Sequence, residues 1–119
     1  MSDSAVVDGV QAELTFVERY RDRLKTRRKH GTIREGRRIP GALTLPVRVS
    51  PSGDFMGNVL IEEVRWLRFS EINSPEILRY EFPSNIESLT SDLQAIYPTL
   101  KPDSWVTFFR FRFVDEAPR

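Results

Sequence analysis

The sequence predicts a small α+β domain, a mostly antiparallel β-barrel of about five or six strands with two or three helices packed outside. Three observations predict it. Residues 43–50, 56–69 and 105–114 alternate apolar and polar side chains with the period of a strand. Pro51-Ser52-Gly53-Asp54 joins the first two of these segments as a hairpin turn. Two segments with helix-start signals lie between the second and the third.

Each element can be justified in order. Residues 1–12 read as a mobile tail, and residues 13–16 as a first short strand. Residues 17–28 read as a helix, with Val17, Tyr20 and Leu24 at helical spacing. Residues 31–34 return to strand, and Gly and Arg then make a turn over 35–41. In the next strand Leu43, Leu45, Val47 and Val49 form one face, and Pro46 calls for an edge position or a bulge. The strand over 56–69 is long. Ser74-Pro75 is an N-cap with Pro at the first helical position, which opens a short helix to residue 80. Ser84-Asn85-Ile86-Glu87 is a capping box, and Ile86, Leu89, Leu93 and Ile96 form the apolar stripe of a second helix, which Pro98 stops. The Phe-rich strand 105–114 closes the domain at 13–114, and residues 115–119 form a C-terminal tail. There is no repeat and no linker.

At 119 residues the chain is one domain and can bury a core without metal or disulfide. It has no cysteine, which excludes thiol catalysis and zinc–cysteine sites. No basic segment followed by an apolar run opens the sequence, and no stretch has the length of a membrane span, so a soluble cytoplasmic protein without a membrane partner is expected. The net charge of +1 is unevenly spread. Residues 19–38 hold ten basic residues and two acids, a local +8; the remainder holds eight basic residues and fifteen acids, or −7. A basic patch on a nearly neutral chain points to an anionic partner, a nucleotide or a nucleic acid such as single-stranded RNA. The plainer reading is a solvated helix face.

The chemistry concentrates in Lys29-His30-Gly31-Thr32-Ile33-Arg34, which puts an amine, a hydroxyl and a guanidinium within six residues. This segment resembles the hallmark of the ASCH domains, a helix running into a motif like G-x-K-T-x-T-I-R. Leu14-Thr15-Phe16 before the first helix, Ile96-Tyr97-Pro98 after the last one and the Phe-rich closing strand fit the same pattern, so the resemblance spans roughly residues 13–114. It implies a small PUA-like β-barrel. Within the family the chain is most similar to the small bacterial N(4)-acetylcytidine amidohydrolases. That likeness implies catalytic roles for Lys29, Thr32 and, with one inserted residue, Glu81, and a substrate-binding role for Arg34. Where the motif has its Gly this chain has Arg27, and where it has its first Thr this chain has His30. Gly31 replaces a residue that is usually β-branched.

Amide hydrolysis needs a nucleophile, a base and a stabiliser of the developing charge. Thr32 is the candidate nucleophile and Lys29 its base, with Arg27, Arg28 and Arg34 nearby to disfavour the ammonium form. Arg34 can bind a carbonyl or a phosphate through its fork. Glu81 can orient Lys29 or protonate the leaving amine. Thr32 and Arg34 share a face of their strand, whereas Lys29 needs a bend or bulge at Gly31 to join them. His30 and Arg28 are expected at the substrate edge, and Trp66 and Tyr80 are the candidate stacking residues. No metal-ligand spacing occurs and no cofactor is expected. Two other readings remain open: a non-catalytic RNA-binding module, and a single-strand ribonuclease using the basic patch of 19–38.

Overall fold

The structure is a computed structural model and describes residues 7–72 and 86–114. The described elements run β1 (Gly9–Gln11), β2 (Leu14–Val17), α1 (Arg21–Lys25), β3 (Gly31–Glu35), β4 (Arg38–Pro40), β5 (Thr44–Ser50), β6 (Asp54–Arg68), α2 (Ile86–Ile96) and β7 (Trp105–Phe113). Short 3₁₀ turns occupy Glu18–Tyr20 and Phe69–Glu71. Five strands form one sheet in the order β2-β5-β6-β7-β3. Three of its pairings are antiparallel, and the short β2 lies parallel to β5. The result is a small α+β fold whose main sheet curls into an incomplete barrel, with β2 and β3 as its two free edges.

The hairpin forms at its expected place, with Gly53 at φ 78° and its N–H donating to the Val49 carbonyl at 2.7 Å. Pro46 sits in β5 just before the stretch that β2 covers, which begins at Val47. The missing N–H therefore leaves no gap in that ladder, and a register shift follows between Val47 and Arg48.

The sheet buries both faces. Inside the curl, Leu14, Phe16, Leu24, Leu45, Val47, Val49, Val59, Phe109 and Phe111 form one core. On the other face Ile33, Leu67, Phe69, Ile72, Val106 and Phe108 pack with Leu93 of α2 and Leu100. A bulge between Ile61 and Glu63 makes this possible. It shifts the alternation of β6 by one residue, so Val59 and Ile61 face the first core while Leu67 faces the second. A strand that is half-buried by its own pattern thus serves two cores.

Three expectations need correction. The helix expected over 17–28 is a 3₁₀ turn followed by five helical residues. Leu24 is the residue it buries, and so short an apolar face does not sustain more turns. The helix ends in a Schellman arrangement: Arg28 N–H donates to the Arg23 carbonyl (2.8 Å) and Arg27 N–H to the Leu24 carbonyl (3.2 Å), with Arg27 left-handed at φ 62°. The turn expected over 35–41 contains β4, and the segment read as a tail contains β1. These two strands pair in parallel, Val10 opposite Ile39. Asp8 ties them to the chain that follows β3, its carboxylate accepting from Arg37 N–H at 2.7 Å. The short helix expected over 74–80 lies outside the described residues.

Candidate functional site

Among the described residues the curled sheet has two unpaired edges, and a cavity lies along the seam between them. Thr15, Phe16 and Val17 of β2 line one side. Lys29, Thr32, Ile33 and Arg34 line the other. Tyr20 and Ser50 contribute beside them, and Leu93, Ile96 and Tyr97 of the α2 end add an apolar wall. The cavity volume is about 180 Å³. A cavity of roughly 150 Å³ is enough to hold a benzene ring, so the space admits one planar six-membered ring.

The Lys29 amine, the Thr32 hydroxyl and the Arg34 guanidinium therefore line one cavity. Lys29 is buried to 1% exposure and Thr32 to 6%. Gly31, expected as the bend, belongs to a regular ladder opposite Arg110. The turn lies instead at Thr26 and Arg27, where Arg27 is left-handed at φ 62°, ahead of residues 28–30 that lead into β3. His30 keeps its carbonyl on the ladder, accepting from Phe111 N–H at 2.8 Å. Lys29, one residue earlier, turns into the seam, and its Nζ lies 5.1 Å from the centre of the Tyr20 ring. Arg34 stands half-buried with its guanidinium carbon 4.8 Å from the centre of the Phe16 ring.

Other candidates lie elsewhere. The His30 side chain is exposed. Arg28 is 63% exposed and pairs with Asp22 at 3.1 Å. Trp66 is half-buried on β6, and its indole N–H donates to the Arg38 carbonyl at 2.8 Å. None of these three lines the cavity. Tyr80 and Glu81 lie outside the described residues. Arg27 Nη1 turns away to the carbonyls of Leu24 (2.8 Å) and Met56 (3.0 Å), so Arg34 is the neighbouring cation that shares the cavity with Lys29. Thr15, Tyr20 and Tyr97 are polar lining residues that the sequence reading did not assign. Two of them stand in Leu14-Thr15-Phe16 and Ile96-Tyr97-Pro98, the flanking segments of the ASCH resemblance.

Much of the basic charge of residues 19–38 is engaged within the fold. Arg21 pairs with Glu18 and, at 2.9 Å, with Asp54. These hydrogen bonds, Glu18 first, raise the Arg21 pKa, and the Arg21 hydrogen bond holds the Glu18 carboxyl below its usual value. Arg37 pairs with Asp8 at 3.6 Å, and Arg38 Nε donates to the Glu35 carbonyl at 2.7 Å. Among the described residues no group of three or more His, Asp or Glu is placed to hold a metal. Nor is any described helix long and apolar enough to cross a membrane.

In sequence, no family model and no curated protein matches this chain. In structure, it is similar to the crystal structure of an ASCH domain from Lactobacillus crispatus JV V101, with a TM-score of 0.64 and 10% identity over 85% of this chain and 80% of that one. The protein has the fold of an ASCH domain.

Proposed function

We propose that this protein is an amidohydrolase that removes the acetyl group from N(4)-acetylcytidine or a related acylated cytosine nucleoside. The observation that carries the reading is the meeting of Lys29, Thr32 and Arg34 on one ring-sized cavity. Lys29, in its neutral amine form, takes the Thr32 proton. Thr32 Oγ attacks the acetyl carbonyl carbon, and the ammonium so formed faces the developing oxyanion. The bond from the carbonyl carbon to N4 then breaks. N4 takes a proton from Lys29 or Glu81 and leaves as cytidine. Water hydrolyses the threonyl ester to acetate and restores the hydroxyl. Glu81 enters through the family resemblance alone.

Incubation of the purified protein with N(4)-acetylcytidine, followed by chromatography, tests the proposal. Cytidine and acetate in equal amounts are expected, with or without chelator. Intact substrate after prolonged incubation with well-folded protein removes the reading.

A second reading is binding or cutting of single-stranded RNA. Exposed Lys25 and the 63% exposed Arg28, just before the buried Lys29, favour it. Phosphate binding of this kind weakens steeply with salt, so RNA affinity that is unchanged between low and high salt removes it.

A further inference from the structure

Arg34 carries a feature that neither its stacking on Phe16 nor its place on β3 accounts for. Its Nε and Nη2 are both shielded from solvent, and neither has a hydrogen-bond partner among the described residues. A guanidinium stays charged at any physiological pH, and a buried donor left without a partner is costly. These two nitrogens share one edge of the guanidinium plane. Their N–H bonds run parallel and are matched by two coplanar acceptors side by side. The remaining polar lining complements such a ligand. Lys29 is donor-only when charged, and Thr15, Tyr20, Thr32, Ser50 and Tyr97 bring hydroxyls; none of the described lining residues is acidic.

We propose that the Nε–Nη2 fork of Arg34 reads the O2 and N3 acceptors of a cytosine ring and is the specificity-determining contact of the cavity. The choice of base rests on the amidohydrolase reading above; the demand for two adjacent acceptors does not. O2 and N3 are neighbours in one plane, at a spacing that suits the fork. Uracil places an N3–H donor against a donor and is rejected. The exocyclic N4 is bonded to the carbon beside N3. Catalysis on a ring held at Arg34 requires its acylated amine to point along β3 toward Thr32, two residues and about 6.6 Å away.

The test is calorimetric titration of cytidine, uridine and 3-deazacytidine, which has C–H in place of N3, into the wild type and into Arg34→Lys. Cytidine is expected to bind the wild type about tenfold to a hundredfold more tightly than either analogue, the usual discrimination of a two-point contact to a base. In Arg34→Lys, which keeps the charge and loses the fork, the preference collapses. A merely structural role for Arg34 lowers all affinities together and leaves the ratio unchanged. If Arg34→Lys does not fold, the wild-type series decides by itself. Equal affinity for cytidine and uridine, no measurable cytidine binding, or a ratio kept in Arg34→Lys overturns the proposal. So does sodium acetate competing for a site that cytidine does not enter, which identifies a carboxylate as the ligand of the fork. Hydrolysis of N(4)-acetylcytidine is assayed in parallel. Cytidine preference without hydrolysis supports the fork and removes the amidohydrolase reading; hydrolysis without preference removes the fork alone.

Discussion

Lys29 Nζ lies 5.1 Å from the centre of the Tyr20 ring, on the wall of the cavity that Thr32 also lines. An amine at 1% exposure is unusual for lysine, which almost always keeps its end group in water. Lys29→Met keeps the length of the side chain and removes the amine. It is expected to lower turnover of N(4)-acetylcytidine by at least about a hundredfold, the scale of a general acid–base group, with a far-ultraviolet spectrum like that of the wild type. Thr32→Val, close in shape, is expected to lose as much, and Thr32→Ser to keep part of the activity. A fully active Lys29→Met variant ends the role of the base, and a fully active Thr32→Val variant ends that of the nucleophile.

Arg27 occupies a backbone conformation that favours glycine, and glycine is the residue of the ASCH motif at this position. At φ 62° it closes helix α1. Its guanidinium offsets the strain by donating to the Leu24 and Met56 carbonyls and by lying 4.2 Å from the centre of the Phe113 ring. Arg27→Ala keeps the strained φ and loses these contacts. Arg27→Gly loses the contacts and relieves the strain. Gly is therefore expected to be more stable than Ala at this position by about 1 kcal/mol, measured by urea denaturation. Equal stabilities, or Ala the more stable, contradict the account.

The fold was largely legible in the sequence because its strands and α2 obey simple periods and stop signals. The hairpin at Gly53, the ranges of β5, β6 and β7, and the end of α2 before Pro98 all follow local chemistry. What escaped was set by distant contacts. Strands of three residues such as β1 and β4 carry too few residues to show a period. The bulge after Ile61 depends on how β6 meets β7, and no residue of β6 announces it. The meeting of Lys29 with Thr32 and Arg34 was expected from the motif, but the bend was assigned to Gly31 because glycine is the permissive residue. The chain turns instead at Thr26 and Arg27, where Arg27 is left-handed. In the sequence Tyr20 reads only as part of a helical stripe, because the approach of the β2 edge to the β3 edge across the cavity leaves no local trace.

Thr107 is fully buried, and its hydroxyl has two backbone partners: it accepts from Arg38 N–H at 2.8 Å and donates to the Gly36 carbonyl at 2.6 Å. It thereby pins the chain between β3 and β4 to the first half of β7. Thr107→Val keeps the shape and leaves both backbone groups unmatched. A loss of about 2 to 4 kcal/mol is expected, since each buried group left without a partner costs about 1–3 kcal/mol. Amide exchange in β4 and β1 is expected to rise most. A change below about 0.5 kcal/mol, within the range of an ordinary surface substitution, counts against the pinning role.

Glu63 sits just after the β6 bulge between two arginines. It accepts from Arg65 at 2.6 Å and from Arg110 at 3.2 Å. These hydrogen bonds, Arg65 first, hold its carboxyl below the ordinary value of 4.5. A carboxyl depressed in the folded state binds its proton more readily in the unfolded chain. Its contribution is therefore complete above the unfolded pKa and is lost as pH falls through the folded one. The cluster is partly open to solvent, so its worth is of the order of 1 kcal/mol or less. Glu63→Gln is expected to lower stability by up to about that amount at pH 7 and to cost progressively less as the pH drops below 4.5. Added salt is expected to shrink the pH 7 difference, because exposed pairs are screened. Urea denaturation of both proteins at pH 7 and pH 3 measures this. A cost that is the same at both pH values would assign the role of Glu63 to packing at the bulge rather than to its charge.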